Sequence, residues 1–460
     1  MRSTLALWFL IGCAAESPRP VGPLLAGPAP HPAPTVSDSP RAEPASAEGD
    51  VRDQPVRTEP WDPEVFRDRR ARLMTQMKTG LAVVLSAQRI NYEAEQRQDA
   101  DFLYLTGLAD EAGAAIILLP QEKQRREYLM LRAANPEGDR WTGYRATLPN
   151  RALEVRSGFA RIGRLEQMGD LLARAAYQWR DLHFFGPLVG YQAEPARVTE
   201  IYSKIGQRVP GAHIKDSVGM IARMRMVKEA REIEKITRAT DITVAGHLEA
   251  MRRVRPGMHE WELKQIVEDT FRRQGARRLA YGSIVGAGPD GCVLHYPNDD
   301  RTIGSSELIL IDAGAEFDHY ATDVTRTFPS NGKFTPEQRR IYEVVLSAQK
   351  AALAKLRPGA RWEELEDTAS KVIADAGYYD YFIHRLGHYV GLEVHDVGLY
   401  WEPIPEGAVL TIEPGIYMPG RKIGVRIEDT VLVTASGPRV LSEKIPREPD
   451  EIERWMATGR

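Results

Sequence analysis

Leu308-Ile309-Leu310-Ile311-Asp312-Ala313-Gly314, followed by Tyr320-Ala321-Thr322-Asp323-Val324-Thr325-Arg326-Thr327-Phe328, is the stretch on which the reading of this chain turns. The first segment is a short apolar run, as expected of a buried strand, closed by a carboxylate. Read as a strand, the second segment puts Asp323, Thr325 and Thr327 on one face by the two-residue period. Val409-Leu410-Thr411-Ile412-Glu413 repeats the apolar run ending in a carboxylate, and Pro414-Gly415 follows it. In Val425-Arg426-Ile427-Glu428-Asp429, Arg426 and Glu428 share a face.

Four carboxylates at the inner ends of apolar strands would repel one another if they converged without cations. Like charges in a desolvated site raise each other's pKa values, and a divalent ion reverses that logic. Asp312, Asp323, Glu413 and Glu428 with the imidazole of His388 form an oxygen-rich, hard donor set. Such a set suits manganese, iron or cobalt better than a Cys-rich structural zinc site. Bridging carboxylates can hold two metals ~3.5–4 Å apart.

The flanks of these residues carry a resemblance. The blocks are Ile311–Gly314, Tyr320–Phe328, Gly387-His388-Tyr389-Val390-Gly391-Leu392-Glu393-Val394-His395-Asp396, Thr411–Gly415 and Arg426–Asp429. Together they resemble the signature blocks of the pita-bread metallopeptidases, and within them those of the aminopeptidase P family. The N-terminal block Arg97-Gln98-Asp99-Ala100-Asp101-Phe102-Leu103-Tyr104-Leu105-Thr106-Gly107 is similar to the companion domain of aminopeptidase P and prolidase. The resemblance runs from near Trp61 to the C-terminus. It implies an α/β N-terminal domain over 61–221 and an α+β pita-bread catalytic domain over 222–460.

By that resemblance, Asp323 and Glu428 bridge two metal ions, Asp312 chelates one, and His388 and Glu413 complete the other. Mn²⁺ is the expected metal, with Co²⁺, Fe²⁺ or Zn²⁺ as alternatives. His295 lies in Gly286-Ala287-Gly288-Pro289-Asp290-Gly291-Cys292-Val293-Leu294-His295 and matches a histidine that faces the substrate. His395 resembles a second catalytic histidine that stabilises the oxyanion, and Glu413 resembles the proton shuttle. His384, Tyr417 and Arg426 match substrate-side positions, Arg426 also orienting Asp312. Trp141 corresponds to an aromatic contributed across a subunit interface, in a dimer or tetramer. Arg385 and Gly387 depart from the family's usual residues, and the short Glu413–Glu428 span abbreviates a rim loop. The implied activity is release of the N-terminal residue from peptides with proline second. Alternatives are an Xaa-Pro dipeptidase with the same ligands, and a non-catalytic pita-bread binding protein.

Composition agrees with a multi-unit globular chain. It has 460 residues, 43% hydrophobic and 27% charged, too many for one ordinary core. A net charge of −3 gives no reason to expect nucleic acid as a partner.

The N-terminus reads separately. Met1-Arg2 and the apolar Leu5–Ile11 form a signal-type segment too short to span a membrane as a mature helix. Leu10-Ile11-Gly12-Cys13 resembles a bacterial lipobox, so 1–13 is expected to be a lipoprotein signal peptide with Cys13 lipidated. Ala14 after the cysteine resembles the outer-membrane default, on the periplasmic side. Residues 14–60 are crowded with Pro, Ala and Ser and read as a tether reaching on the order of 100 Å if extended. With Cys13 acylated, Cys292 stands alone of the two cysteines and no internal disulfide is possible.

Further along, Leu81–Leu85 and Ala114–Leu119 read as buried strands and Phe66–Met77 as a helix. Arg225–Ile233 reads as a linker helix that continues through Val244. Thr335-Pro336-Glu337-Gln338 opens another helix as N-cap, first-turn proline and capping-box partner, with an apolar stripe of Ile341, Val344, Ala348 and Ala352.

Overall fold

A computed structural model of the chain describes residues 61–88, 97–133, 135–142, 151–186 and 194–459. The signal, lipid-anchor and tether expectations for residues 1–60 lie outside the described residues. No helix among the described residues is long and apolar enough to cross a membrane.

The N-terminal lobe is built on a six-stranded sheet. Its strands are β1 (Leu81–Leu85), β2 (Ala115–Leu118), β3 (Glu127–Leu131), β4 (Ile162–Arg164), β5 (Asp181–Phe184) and β6 (His213–Asp216), in the order β4-β3-β2-β1-β5-β6. β1 pairs antiparallel with β2 and parallel with β5. The central strands are continuous apolar runs because both faces are covered. Leu81, Val83, Ala115 and Ile117 pack with Leu172 and Tyr202 from the helices Met168–Trp179 and Arg197–Arg208. Ala82, Val84, Ile116 and Leu118 face the other way, toward Leu73 and Met77 of the helix Pro63–Met77.

That second apolar cluster does not stop at the lobe. It takes in Tyr320, Val390, Val409 and Leu432, so the two lobes share one buried core. Each large side chain buried there contributes roughly 1.5–3 kcal/mol.

In the C-terminal lobe, short antiparallel sheets are wrapped by helices. β8 (Ile284–Ala287), β9 (Leu308–Asp312) and β12 (Thr325–Pro329) form one sheet, and β7 (Arg278–Leu279), β10 (Ala315–Phe317) and β11 (Tyr320–Ala321) a second. β13 (Val409–Ile412), β16 (Asp429–Thr434) and β17 (Gly437–Val440) form a third, and β14 (Gly415–Met418) with β15 (Ile423–Arg426) a hairpin.

Three local expectations are corrected. The Tyr320–Phe328 segment is not one strand: the chain leaves the ladder at 322–324. There threonine hydroxyls replace strand pairing, since Thr430 Oγ1 accepts from Asp323 N at 3.1 Å and Thr322 Oγ1 lies 2.9 Å from Thr240 Oγ1. The linker helix is likewise two helices, Gly219–Met226 and Ala230–Arg253. Glu229 ends the break by capping the second helix in a reciprocal box with Glu232. The helix Pro336–Lys355 has the expected Thr335 cap, but Val345 rather than Val344 is the fully buried member of its stripe. It lies over the site's strands, where Gln349 Nε2 donates to Ile412 O and Ile427 O, each at 3.1 Å.

Candidate metal centre

Each expected ligand is delivered by a backbone register. β9 is buried along its whole length and ends at Asp312, which pairs with Thr325 of β12. Gly314 lets the chain turn back at once: a Cβ there would lie 1.9 Å from Thr322 O, so only glycine brings Asp312 and Asp323 together. Glu413 follows the last residue of β13, and Glu428 sits between β15 and β16, its N–H donating to Thr325 O at 3.1 Å. His388 is strapped to β13: Thr411 N donates to His388 O at 2.8 Å, and His388 N to Thr411 Oγ1 at 3.0 Å.

The five side chains converge. Donor atoms of Asp312, Asp323 and Glu428 lie within 4.8 Å of one another, as do those of His388, Glu413 and Glu428. Glu428 belongs to both groups, as a residue shared between two adjacent cation positions would. A third grouping, Asp323, His388 and His395, meets the same limit. His388 Nδ1 donates to Tyr389 O at 3.1 Å, which leaves Nε2 facing Asp323 Oδ2 at 3.3 Å and Glu413 Oε1 at 3.4 Å.

The electrostatics fit divalent cations. Burial, then Asp323 and Glu413, push Glu428 well above the ordinary carboxylate range. Burial also pushes Glu413 up to about 7 and raises Asp312. Burial alone would depress the His388 imidazolium, but the hydrogen bond and charge of Asp323, with Glu413, raise it to about 9. Glu428 Oε2 accepts from Thr325 Oγ1 at 2.7 Å, whereas the buried Oε1 has no hydrogen-bond partner among the described residues. A buried carboxylate oxygen left unpaired is costly, and a metal ion is the natural partner for it.

Behind the carboxylates runs a chain of hydrogen bonds. Arg426 Nη2 donates to Asp312 Oδ2 at 2.5 Å, its Nε to Thr325 Oγ1 at 3.0 Å and its Nη1 to the Tyr417 hydroxyl at 3.0 Å. His384 Nδ1 donates to Arg385 O at 2.7 Å, so the Tyr417 hydroxyl, 2.8 Å from Nε2, donates to it. Burial and then Arg426 push His384 down to about 4, keeping it neutral. Arg426 and Tyr417 are almost wholly buried, and their hydrogen bonds reach Asp312 and His384. His395 is exposed, its ring 4.1 Å from that of His388. His295 is exposed too, and its nearness contributes to lowering both His384 and His395.

One contributor was not legible beforehand. The Tyr281 hydroxyl lies 2.5 Å from Asp312 Oδ1 and also within hydrogen-bonding reach of Asp323 Oδ1. It comes from a turn with no periodicity to flag it. Of the weaker expectations, Trp141 is 88% exposed, and Arg385 makes an outward ion pair with Glu366 at 3.1 Å. Cys292 is free and buried.

Comparison with known proteins now decides the family. Residues 234–435 match the profile described as metallopeptidase family M24, and residues 66–181 that described as aminopeptidase P, N-terminal domain. An Xaa-Pro aminopeptidase of Haemophilus influenzae is 34% identical over 436 residues, covering 85% of this chain and 97% of that protein. The chain belongs to metallopeptidase family M24. The solved structure of zinc-substituted E. coli aminopeptidase P in complex with product superposes with a TM-score of 0.78 at 31% identity, covering 87% of this chain and 100% of the other. An Xaa-Pro dipeptidase of Pyrococcus furiosus is 40% identical, but over only 49% of this chain and 65% of its own length. M24 membership carries with it a divalent-metal peptidase centre, and the α/β lobe followed by the pita-bread lobe is the aminopeptidase P arrangement.

Proposed function

We propose that this M24 chain is an Xaa-Pro aminopeptidase whose metal ligands are Asp312, Asp323, His388, Glu413 and Glu428, with two Mn²⁺ ions in use. The observation that carries the reading is the convergence of four carboxylates and one imidazole around the unpartnered Oε1 of buried Glu428. Divalent ions bound there supply Lewis acidity, which acidifies a water and polarises a peptide carbonyl. His395, exposed and in contact with His388, donates a hydrogen bond to the carbonyl oxygen as charge develops on it. Glu413, at the edge of the cluster and only partly exposed, takes the proton of the attacking water and passes it to the proline nitrogen. That tertiary amide leaves poorly until it is protonated. His384, held neutral by burial and Arg426 and bonded to Tyr417, lines the proline side, and His295 faces the substrate.

Export by a signal peptide over 1–13, a lipid anchor on Cys13, a tether over 14–60 and residence on the periplasmic side of the outer membrane extend the proposal. Their support is the lipobox-like Leu10-Ile11-Gly12-Cys13 and the proline-rich stretch after it. A homo-oligomer is likewise proposed, with the exposed Trp141 as its aromatic contact.

The test is release of the first residue from paired Xaa-Pro and Xaa-Pro-Pro peptides by the full chain in detergent. Each assay is run metal-stripped and then with Mn²⁺, beside Asp323→Ala. The expected outcome is metal-dependent cleavage of the tripeptide, lost in the variant. Cleavage of the dipeptide alone would make the protein a dipeptidase. Binding of metal with no turnover of either would overturn the reading.

A further inference from the structure

A second convergence of buried charge lies beside the metal cluster. Asp396 follows His395 and is buried. Its Oδ1 accepts from Arg225 Nη2, and its Oδ2 accepts from Lys228 Nζ at 2.9 Å. Arg225 Nη1 donates to Asp101 Oδ1 at 2.7 Å and Nη2 to Glu393 Oε2 at 2.9 Å, while Lys228 Nζ donates to Arg225 O at 2.7 Å. Asp101 belongs to the N-terminal lobe, in the helix Ala100–Thr106. Arg225 lies in the last turn of the first of the two helices that connect the lobes, and Lys228 in the break between them. Burial would raise the Asp396 carboxyl, but Arg225 and Lys228 outweigh it and hold it below the usual range, so it is fully charged.

This clamp grips a closed loop. Asp396 N donates to Tyr389 O at 2.8 Å, which joins the residues following His388 and His395. A Cβ on Gly391 would lie 2.1 Å from Asp396 Oδ2, so glycine is what lets that carboxylate lie under the loop. Ala321 N donates to Gly391 O at 2.8 Å, fastening the loop to the strand that leads into Asp323. The His395 side chain makes no hydrogen bond among the described residues. Its ring is therefore aimed by its backbone and by packing on His388, and that backbone is set by whatever holds Asp396.

A buried ion cluster is poor glue: apolar residues of similar volume are often as stabilising or more so, whereas charges fix geometry. We infer that Arg225 and Lys228, backed by Asp101 of the N-terminal lobe, are positioning residues that clamp Asp396 and thereby aim His395 at the reacting carbonyl. The inference rests on the proposed role of His395.

The experiment is a double-mutant cycle on the full chain with Mn²⁺, using Asp396→Asn, His395→Ala and the pair, with an Xaa-Pro-Pro peptide. Asp396→Asn is expected to lower kcat about tenfold with KM within about twofold. In the His395→Ala background the same change should cost less than about twofold, because its target is gone. Independent multiplication of the two losses, or an unchanged kcat, overturns the inference. If Asp396→Asn does not fold, Asp101→Asn at the solvent-facing end of the clamp replaces it in the same cycle, with about a threefold loss expected. His395 ring ¹H–¹³C chemical shifts supply a readout without turnover: the clamp variant should move them and leave those of His213, on the edge strand β6 of the N-terminal lobe, in place. If wild-type protein fails to cleave the peptide, the functional reading falls, and the shifts alone decide the positioning, unmoved His395 signals overturning it.

Discussion

Loading the metal-free protein with Mn²⁺ at pH 7 should expel protons in a number that the site itself sets. A coordinating imidazole or carboxylate must be deprotonated. Without metal, His388 is held at about 9 by Asp323 and Glu413 against the effect of burial, so at pH 7 it carries its proton. Burial and the neighbouring carboxylates lift Glu428 well above the ordinary range, so any proton it holds adds to the number lost. Glu413, raised by burial to about 7, is half protonated. Loading thus releases about one proton from His388 and about half of one from Glu413, and the raised Glu428 can only add to that. With at least about one and a half protons lost, apparent affinity should rise at least about 30-fold per pH unit near neutrality, flatten above pH 9, and fall on acidification. Calorimetric titration at pH 7 in buffers of differing ionisation enthalpy reads the number directly, as the slope of binding enthalpy against that of the buffer. A slope under about one proton would mean that these groups are already ionised without metal. The argument from crowded, desolvated carboxyls would then be wrong.

Tyr281→Phe should weaken metal affinity about tenfold or more, read by competition with a chelator, because a hydroxyl shared by Asp312 and Asp323 is lost. Thr335→Ala should cost about 1 kcal/mol in urea unfolding and leave metal affinity unchanged, since it removes only the cap of the helix Pro336–Lys355. His247 is buried, with Nε2 donating to Ala313 O at 3.1 Å, and burial pushes its pKa down to about 4. A histidine whose folded pKa is depressed costs stability as pH falls below its unfolded value of about 6.5, the loss growing until the folded value is reached. Metal-free His247→Gln should therefore lose about 2.5 kcal/mol less than wild type between pH 7 and pH 4.5; parallel unfolding curves would refute this.

What the sequence made legible follows from where each ligand's signal is local. Asp312 and Glu413 close apolar runs, and a carboxylate after four buried residues is visible without any partner. Asp323 was visible for the wrong reason. Its segment alternates like a strand, but Thr240 and Thr430, from distant parts of the chain, bond Thr322 and Asp323 in place of that pairing. The break at Val227–Glu229 was hidden because Arg225–Val244 keeps helical composition, and only the reciprocal box of Glu229 and Glu232 marks the restart. Arg326 and Asp429 read as flanks of ligands, yet they form a wholly buried ion pair fixing β12 to β16.

The N-terminal block Arg97–Gly107 reads by itself as a capped helix, Asp99 accepting from Phe102 N at 2.8 Å. Its charged residues gain meaning only from the other lobe. Arg97 Nη2 donates to Leu279 O at 2.7 Å and to Ala280 O at 2.8 Å, the two carbonyls just ahead of Tyr281. Four residues on, Asp101 holds Arg225, and through it Asp396 beside His395. This short block thus reaches the centre from two sides, through the tyrosine that backs two carboxylates and through the carboxylate beside His395. Such contacts have sequence separations of more than a hundred residues and no periodic trace. They explain why a lobe that supplies no metal ligand can still carry a motif as specific as that of the lobe that does.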